Sequence, residues 1–322
     1  MQANDLYFPV KDDFKAVDAA IIEHLSSSVP LVEKIGHYII ESGGKRLRPL
    51  LVLLAARACG YNGKAHINLA VVVEFIHTAT LLHDDVVDTS DLRRGKPTAN
   101  NKWGNSSSIL VGDFLYSRAF QMLVDIGKLN VMGTLSNATN VIAEGEVLQL
   151  LNAKNPDVSE EDYLKVILSK TAMLFEAASR TGAQIAQADD EQADALANFG
   201  RHLGIAFQLI DDLMDYTGDL DTMGKNVGDD LAEGKPTLPL IHAMKFAEKD
   251  EQKLIRKAIR QGSSESLDQI RAILVRCGSL DYTRQRASQE TKAAIDCLAT
   301  IADSPFKSSL QDLCTLALAR QN

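Results

Sequence analysis

The chain has 322 residues, 45% of them hydrophobic and 24% charged, enough to bury a large core in one or two domains of ordinary size. Its formal net charge of −9 argues against a nucleic-acid partner, because phosphate backbones are held by clustered Lys and Arg. Cys59, Cys277, Cys297 and Cys314 are too far apart for a C-x-x-C motif and read as reduced core thiols. No Pro-, Gly- or Ser-rich linker divides the chain, so a single all-α domain over 1–322 is expected.

The N-terminal stretch from Met1 to Asp13 lacks the basic start and apolar core of a secretory signal and is too acidic for a transit peptide, which points to the cytoplasm. A first helical region covers about 14–41 and stops at Ser42-Gly43-Gly44. Lys45, Arg46 and Arg48 follow, and Pro49 suits the first turn of the next helix. These cations therefore gather at a helix start, where free backbone N–H groups also favour an anion such as phosphate. Apolar runs such as Leu50 to Ala56 fall well below the roughly 20 residues that span a bilayer, so no transmembrane segment is expected.

The next helix runs from about Asn68 to Asp88 and is largely apolar until it reaches Asp84-Asp85-Val86-Val87-Asp88. A basic loop from Asp91 to Thr98, carrying Arg93, Arg94 and Lys96, lies just beyond these acids. Asn105 to Ser108 is expected to cap a helix from Ile109 to Leu123, and further helices cover about 131–152 and 160–187. Asn105-Ser106-Ser107 and Asn137-Ala138-Thr139 match the glycosylation pattern but read better as helix caps. A second acidic helix spans about 194–216 and ends in Asp211-Asp212-Leu213-Met214-Asp215. Gly224 to Thr237 then forms a Gly-rich charged loop, in which Asp229, Asp230 and Glu233 read as solvated, before helices resume to the end.

The repeated D-D-x-x-D pattern carries the chemistry. His77, Thr80, Asp84 and Asp88 recur every three or four residues and so make one stripe on one helix face; Gln208, Asp211, Asp212 and Asp215 do the same on the other helix. Carboxylates one turn apart repel by only about 0.2–0.5 kcal/mol on a wet surface, but by far more against an apolar wall, where they must protonate or find a cation. Two such stripes could hold Mg²⁺ by one or two carboxylates each, with phosphate oxygens and water completing the shell. Lys45, Arg46, Arg48, Arg93, Arg94, Lys170, Lys225 and Lys235 would add positive charge suited to a departing diphosphate. A calcium-binding protein would need the glycine and acid spacing of an EF-hand loop, which is missing. Taken singly, one acidic motif is commonly a solvated helix end, and His77 on an apolar helix is commonly a core histidine. Two motifs in order with the basic ones outweigh that reading.

With these residues in view, the sequence resembles the trans-polyprenyl diphosphate synthase family along nearly its whole length. The likeness rests on Gly43-Gly44-Lys45-Arg46-Leu47-Arg48-Pro49, the first D-D-x-x-D with Arg93-Arg94-Gly95, Lys170-Thr171, Phe207-Gln208 with the second D-D-x-x-D, and Gly224-Lys225 with Gly234-Lys235-Pro236-Thr237, in the family's order. The stretches around His77 to Asp85 and Gly228 to Pro239 look most like bacterial octaprenyl diphosphate synthases. The resemblance implies an antiparallel helical bundle around a central cavity, the isoprenoid synthase fold, usually as a homodimer. It implies Mg²⁺-dependent head-to-tail condensation of isopentenyl diphosphate onto an allylic primer, here farnesyl diphosphate, with no nucleophilic Ser or Cys.

By the same correspondence Asp84, Asp88 and Asp211 would bind the metal, about three ions per site with substrate present, while Asp85, Asp212 and Asp215 support them. Lys45, Arg48, His77 and Arg94, with Arg46 in the same cluster, would hold isopentenyl diphosphate; Arg93, Lys170, Thr171, Gln208, Lys225 and Lys235 would meet the allylic diphosphate. Short-chain relatives usually carry an aromatic residue where this chain has Ala79. That difference implies a long product, with Ile76, Ala79 and Thr80 as the first wall and Phe120, Met122, Leu123 or Leu135 as a deeper floor. An octaprenyl chain for a quinone such as ubiquinone is therefore expected. The alternatives are a geranylgeranyl or farnesyl diphosphate synthase, or a non-catalytic regulatory subunit of a heteromeric synthase, which would lack part of these motifs.

Overall fold

The structure, a computed structural model, describes residues 6–218 and 227–319. Helices dominate it, as the amphipathic pattern requires. After a short 3-10 turn, Phe8–Val10, they begin with α1 (Lys11–His24), α2 (Pro30–Glu41), α3 (Leu47–Ala58) and α4 (Ala65–Val87). Then come strands β1 (Leu92–Arg93) and β2 (Lys96–Pro97), followed by α5 (Ala99–Trp103), α6 (Asn105–Ile126), α7 (Leu129–Asn152), α8 (Glu160–Ile167), α9 (Met173–Ile185) and α10 (Asp190–Thr217). The last six are α11 (Asp229–Ala232), α12 (Leu238–Phe246), α13 (Lys249–Gln261), α14 (Leu267–Arg276), α15 (Ser279–Cys297) and α16 (Pro305–Ala319).

These helices fall into two compact units. One comprises Met1–Thr139, Leu174–Gly200 and Cys297–Leu313; the other comprises Asn140–Met173, Arg201–Asp296 and Cys314–Asn322. In the first unit α4 is the central element and packs chiefly on α6, and also on α3 and α1. Its Leu69 to Ile76 run is almost entirely buried. This helix is long and apolar enough to cross a membrane, contrary to the expectation that all apolar runs are short, but 67% of the apolar stretch is buried inside the protein. In the second unit Ile205, Leu209, Ile210 and Leu213 of α10 pack with Tyr163, Ile167, Leu238 and Ala287. A second cluster there gathers Tyr216, Leu240, Ile255, Ile259, Ile270 and Leu274.

Several expected boundaries are corrected. The single helical region over 14–41 is two helices, because Pro30 takes the first position of α2 and holds Val29 extended (φ −105°, ψ 107°). The basic loop is a small antiparallel hairpin with Leu92 opposite Pro97 and Arg93 opposite Lys96. Its two-residue turn has Arg94 at φ 54° and Gly95 at φ 73°, the left-handed pair that matches the twist of a tight hairpin. The expected helix over 160–187 is interrupted at Leu168–Ala172 by a π turn between α8 and α9. Asn105 to Ser108 does not cap from outside: Gly104 precedes the helix, and Ser108 lies within it, donating to the Leu82 carbonyl at 2.9 Å. Asn137 and Thr139 lie inside α7, not at a cap. Cys314 is buried, whereas Cys59, Cys277 and Cys297 are only half-buried, so the expectation of core thiols holds for Cys314 alone.

Candidate active site

The first acidic motif closes the C-terminal end of α4, and its stripe is visible in the burial pattern. His77, Thr80, Asp84 and Asp88 are half-buried, whereas Ile76, Thr78, Ala79, Leu82 and Asp85 are buried. Asp85 therefore turns away from the other two acids. Both its oxygens are gripped by Arg93, whose Nε donates at 2.9 and 3.1 Å and whose Nη2 donates at 2.6 Å. Breaking a buried pair of this kind typically costs about 3–5 kcal/mol, because one charge is left without a partner. The Arg93 to Asp85 clamp thus anchors the hairpin to α4. Tyr38 donating to the Pro97 carbonyl at 2.7 Å and Asn100 donating to the Asp85 carbonyl at 3.2 Å reinforce it.

That hairpin delivers Arg94 to the start of α3. A Cβ on Gly44, which has φ 137°, would lie 2.5 Å from Arg94 Nη1, so a side chain there would both strain the backbone and push the arginine head aside. Arg46, left-handed at φ 44°, pairs with Asp18 of α1. The Lys45 carbonyl accepts from Tyr7 OH at 2.6 Å. Arg48 lies 4.4 Å over the Phe175 ring, with Nη1 3.1 Å from His77 Nε2. Burial pushes the Arg48 guanidinium down to about 10; the Glu74 charge opposes that shift and the Arg94 charge adds to it. Burial and the charges of Arg48, Arg94 and Arg93 hold His77 well below the usual imidazole range, so it is a neutral ring accepting from Arg48 at Nε2. Sequence reasoning missed one member of this cluster. Glu74, one turn before His77, is buried near Arg46, Arg48 and Arg94.

In the second unit, Lys170 and Thr171 sit in the π turn, an irregularity that often marks functional positions in helices. Lys170 Nζ donates to Glu146 Oε2 at 2.6 Å and Gln149 Oε1 at 2.7 Å. Thr171 Oγ1 donates to Gln208 Oε1 at 2.9 Å, which orients the Gln208 amide so that Nε2 donates to Asp212 Oδ1 at 2.8 Å. Tyr163 OH donates to the other oxygen, Asp212 Oδ2. Of the second motif, then, Asp212 is buried and held at both oxygens, Asp215 is buried, and Asp211 is half-buried. Asp215 Oδ1 accepts from the N–H groups of Gly228 and Asp229 at 3.2 and 3.1 Å, capping α11, while its buried Oδ2 accepts no hydrogen bond among the described residues. Tyr163→Phe should lower unfolding free energy by about 1–3 kcal/mol in denaturant titrations, because it strips a donor from a buried carboxylate.

Asp229 and Asp230 are not solvated loop residues. Both are half-buried and act on the second motif. Burial first, then the charge of Asp230, push Asp212 up to about 8 and Asp215 up to about 9. Lys235 pairs with Glu233. Lys225 lies outside the described residues. Among the described residues no group of three or more His, Cys, Asp or Glu side chains makes a metal cage by itself. The donor set still fits a hard divalent cation. Several carboxylates crowd against apolar walls, an Asp215 oxygen with no donor among the described residues lies with them, and Mg²⁺ ordinarily takes one or two carboxylates and fills its shell with water and phosphate oxygens.

Residues 29–275 match the family model described as polyprenyl synthetase. The chain is 53% identical over 309 residues to the octaprenyl diphosphate synthase of Escherichia coli K12, covering 96% of each chain. Its fold is similar to the crystal structure of a decaprenyl diphosphate synthase from Rhodobacter capsulatus, with a TM-score of 0.95 and 46% identity over the whole of both chains. It is also similar to a polyprenyl synthase from Caulobacter crescentus complexed with calcium and isoprenyl diphosphate, with a TM-score of 0.96 and 41% identity over 100% of this chain and 98% of that one.

Proposed function

This chain belongs to the polyprenyl synthetase family and has its all-α isoprenoid synthase fold, and on that premise we propose how its residues divide the work. It is a prenyltransferase, a long-chain trans-polyprenyl diphosphate synthase. The observation that carries the assignment of roles is that each unit joins an acidic D-D-x-x-D helix to its own cluster of basic and amide side chains. Residues 1–322 act as one catalytic domain, and the product is octaprenyl diphosphate, used as the precursor of a quinone side chain.

In this reading Lys45, Arg48, His77 and Arg94 hold isopentenyl diphosphate, with Arg46 fixed beside them by Asp18. Lys170, Thr171, Gln208, Lys225 and Lys235 hold the allylic diphosphate, farnesyl diphosphate being the primer. Arg93 contributes to that binding while anchored to Asp85. Asp84, Asp88 and Asp211 would hold Mg²⁺, about three ions with substrate bound, and the metal would supply positive charge to stabilise the leaving diphosphate. The three remaining motif acids keep these in place. The allylic C–O bond breaks as its electron pair leaves with diphosphate, and the isopentenyl double bond attacks the allylic carbon to form the new C–C bond. The resulting tertiary cation then loses a proton, which the released diphosphate accepts, and no side-chain nucleophile takes part.

The enzyme acts as a homodimer in the cytoplasm. Exposed apolar side chains of the first unit, Leu110, Val124 and Leu129, support a subunit contact there.

The division of labour is tested by steady-state kinetics with each substrate varied in turn. Arg94→Ala should raise the apparent KM for isopentenyl diphosphate by about tenfold or more and spare the primer; Lys170→Ala should do the reverse. Equal effects on both substrates would reject it.

A further inference from the structure

Glu74 is an unexpected residue for its place. Its neighbours on α4, Val71, Val72, Val73, Phe75 and Ile76, are core residues with no exposed surface, and Glu74 itself is only 9% exposed. Its Oε2 is buried and accepts no hydrogen bond among the described residues. Burying a carboxylate in this way is unfavourable, and an apolar side chain of the same length would fill the position at lower cost. Its surroundings supply the reason. Burial pushes the Glu74 carboxyl above the usual carboxylate range, and the guanidiniums of Arg46, Arg48 and Arg94, all close enough to act on its charge, oppose that shift. Arg48 Nε is likewise buried without a hydrogen bond among the described residues. Asp18, the other acid facing this cluster, is engaged by Arg46. His77, one turn along the same helix, is fixed against Arg48 at 3.1 Å.

We propose that Glu74 is a positioning residue of the isopentenyl diphosphate site, a resident counter-anion that keeps Arg48 and Arg94 together in the free enzyme and weakens their hold on a bound diphosphate. This rests on the assignment of isopentenyl diphosphate to those arginines.

The chemistry of elongation explains why a weaker hold is useful. Each condensation leaves the growing chain attached to the diphosphate that arrived as isopentenyl diphosphate. Before the next condensation that diphosphate must leave Arg48 and Arg94 and take the allylic position. Tighter binding of this ground state would lower KM without accelerating the chemistry, and it would retard the transfer. A carboxylate buried beside the guanidiniums subtracts from the field they present to the anion, and it does so with little screening because it is buried.

The test is Glu74→Gln in the full-length enzyme, which keeps the shape and removes the charge. Calorimetric Kd and steady-state KM for isopentenyl diphosphate should both fall about tenfold, kcat should fall by a similar factor, and the primer KM should be unchanged. Glu74→Asp, which restores the charge, should return these values toward those of the parent. Glu74→Met, apolar and of equal length, should repeat the glutamine result and serves in its place if that variant does not fold. A role confined to packing would raise KM and lower kcat together for both substrates; that result, or an unchanged isopentenyl diphosphate KM, overturns the proposal. Arg94→Ala separates the two levels of inference. If it leaves the isopentenyl diphosphate KM unchanged, the substrate assignment fails. If it raises that KM while Glu74→Gln does not lower it, only the role of Glu74 fails.

Discussion

Asp84→Ala and Asp211→Ala should each reduce turnover by about a thousandfold or more at saturating Mg²⁺ while leaving helix content unchanged. The expectation comes from the unequal places of the six motif acids. Asp84 and Asp211 are half-buried, on the accessible side of α4 and α10, whereas Asp85 and Asp212 are buried and committed to Arg93, Tyr163 and Gln208. Truncating an accessible carboxylate removes charge that would help hold cations at the leaving diphosphate, and it removes little packing. Asp85→Ala is a different experiment. It leaves the half-buried Arg93 charge without its partner and frees the hairpin, so the expected signature is a loss of about 3–5 kcal/mol of stability together with a loss of activity. Circular dichroism and denaturant titration beside the turnover assay separate the two classes. Near-normal turnover in either Asp84→Ala or Asp211→Ala would mean that the two helices do not serve the same step.

The second large effect is on product length. In the proposed site, chain growth from a cation beside Asp84 would run away from the charged end, toward the N-terminus of α4. At 1.5 Å per residue Thr80 and Ala79 lie roughly 6–8 Å from Asp84 along the axis and Ile76 roughly 12 Å. Ala79 and Ile76 have no exposed surface, while Thr80 is half-buried on the same stripe as His77 and Asp84, its Oγ1 donating to the His77 carbonyl at 2.8 Å. Thr80→Tyr is therefore the cleaner obstruction. It should cut products to a few isoprene units while the first condensation persists, because the ring enters the path of the growing chain without touching the acids. Ala79→Tyr should also shorten the product, but its ring must displace packed neighbours, with a stability loss of about 1–3 kcal/mol. Leu123 and Leu135 are buried, and so suited to a deeper floor. Reversed-phase chromatography of labelled products reads the result. Parental chain lengths from both tyrosine variants would show that the chain does not grow past this face of α4, and the long-chain reading of Ala79 would lose its physical basis.

Helical periodicity was enough to identify the all-α class, the two acidic helices and the wet stripe of His77, Thr80, Asp84 and Asp88, because a helix in a core exposes one face and the spacing of three and four residues names it. The ordered basic motifs were likewise legible, since glycine, proline and cation at fixed offsets leave their marks locally. What periodicity cannot report is the partner a buried polar group finds far along the chain. Asp85 and Asp84 are adjacent and chemically identical, yet one is buried and clamped by a hairpin arginine and the other is only half-buried. Asp212 is held by Tyr163, 49 residues earlier, and Asp215 by the backbone of Gly228 and Asp229. Glu74 was hidden because an acid within an apolar run looks like an isolated exception until Arg48 and Arg94 are seen around it. The π turn at Lys170 and the left-handed Arg94 are also products of packing, since neither residue type by itself asks for that backbone. A buried charge is stable only where distant segments supply its counter-charge and donors, so its role is decided when the chain folds and not by its own neighbours in sequence.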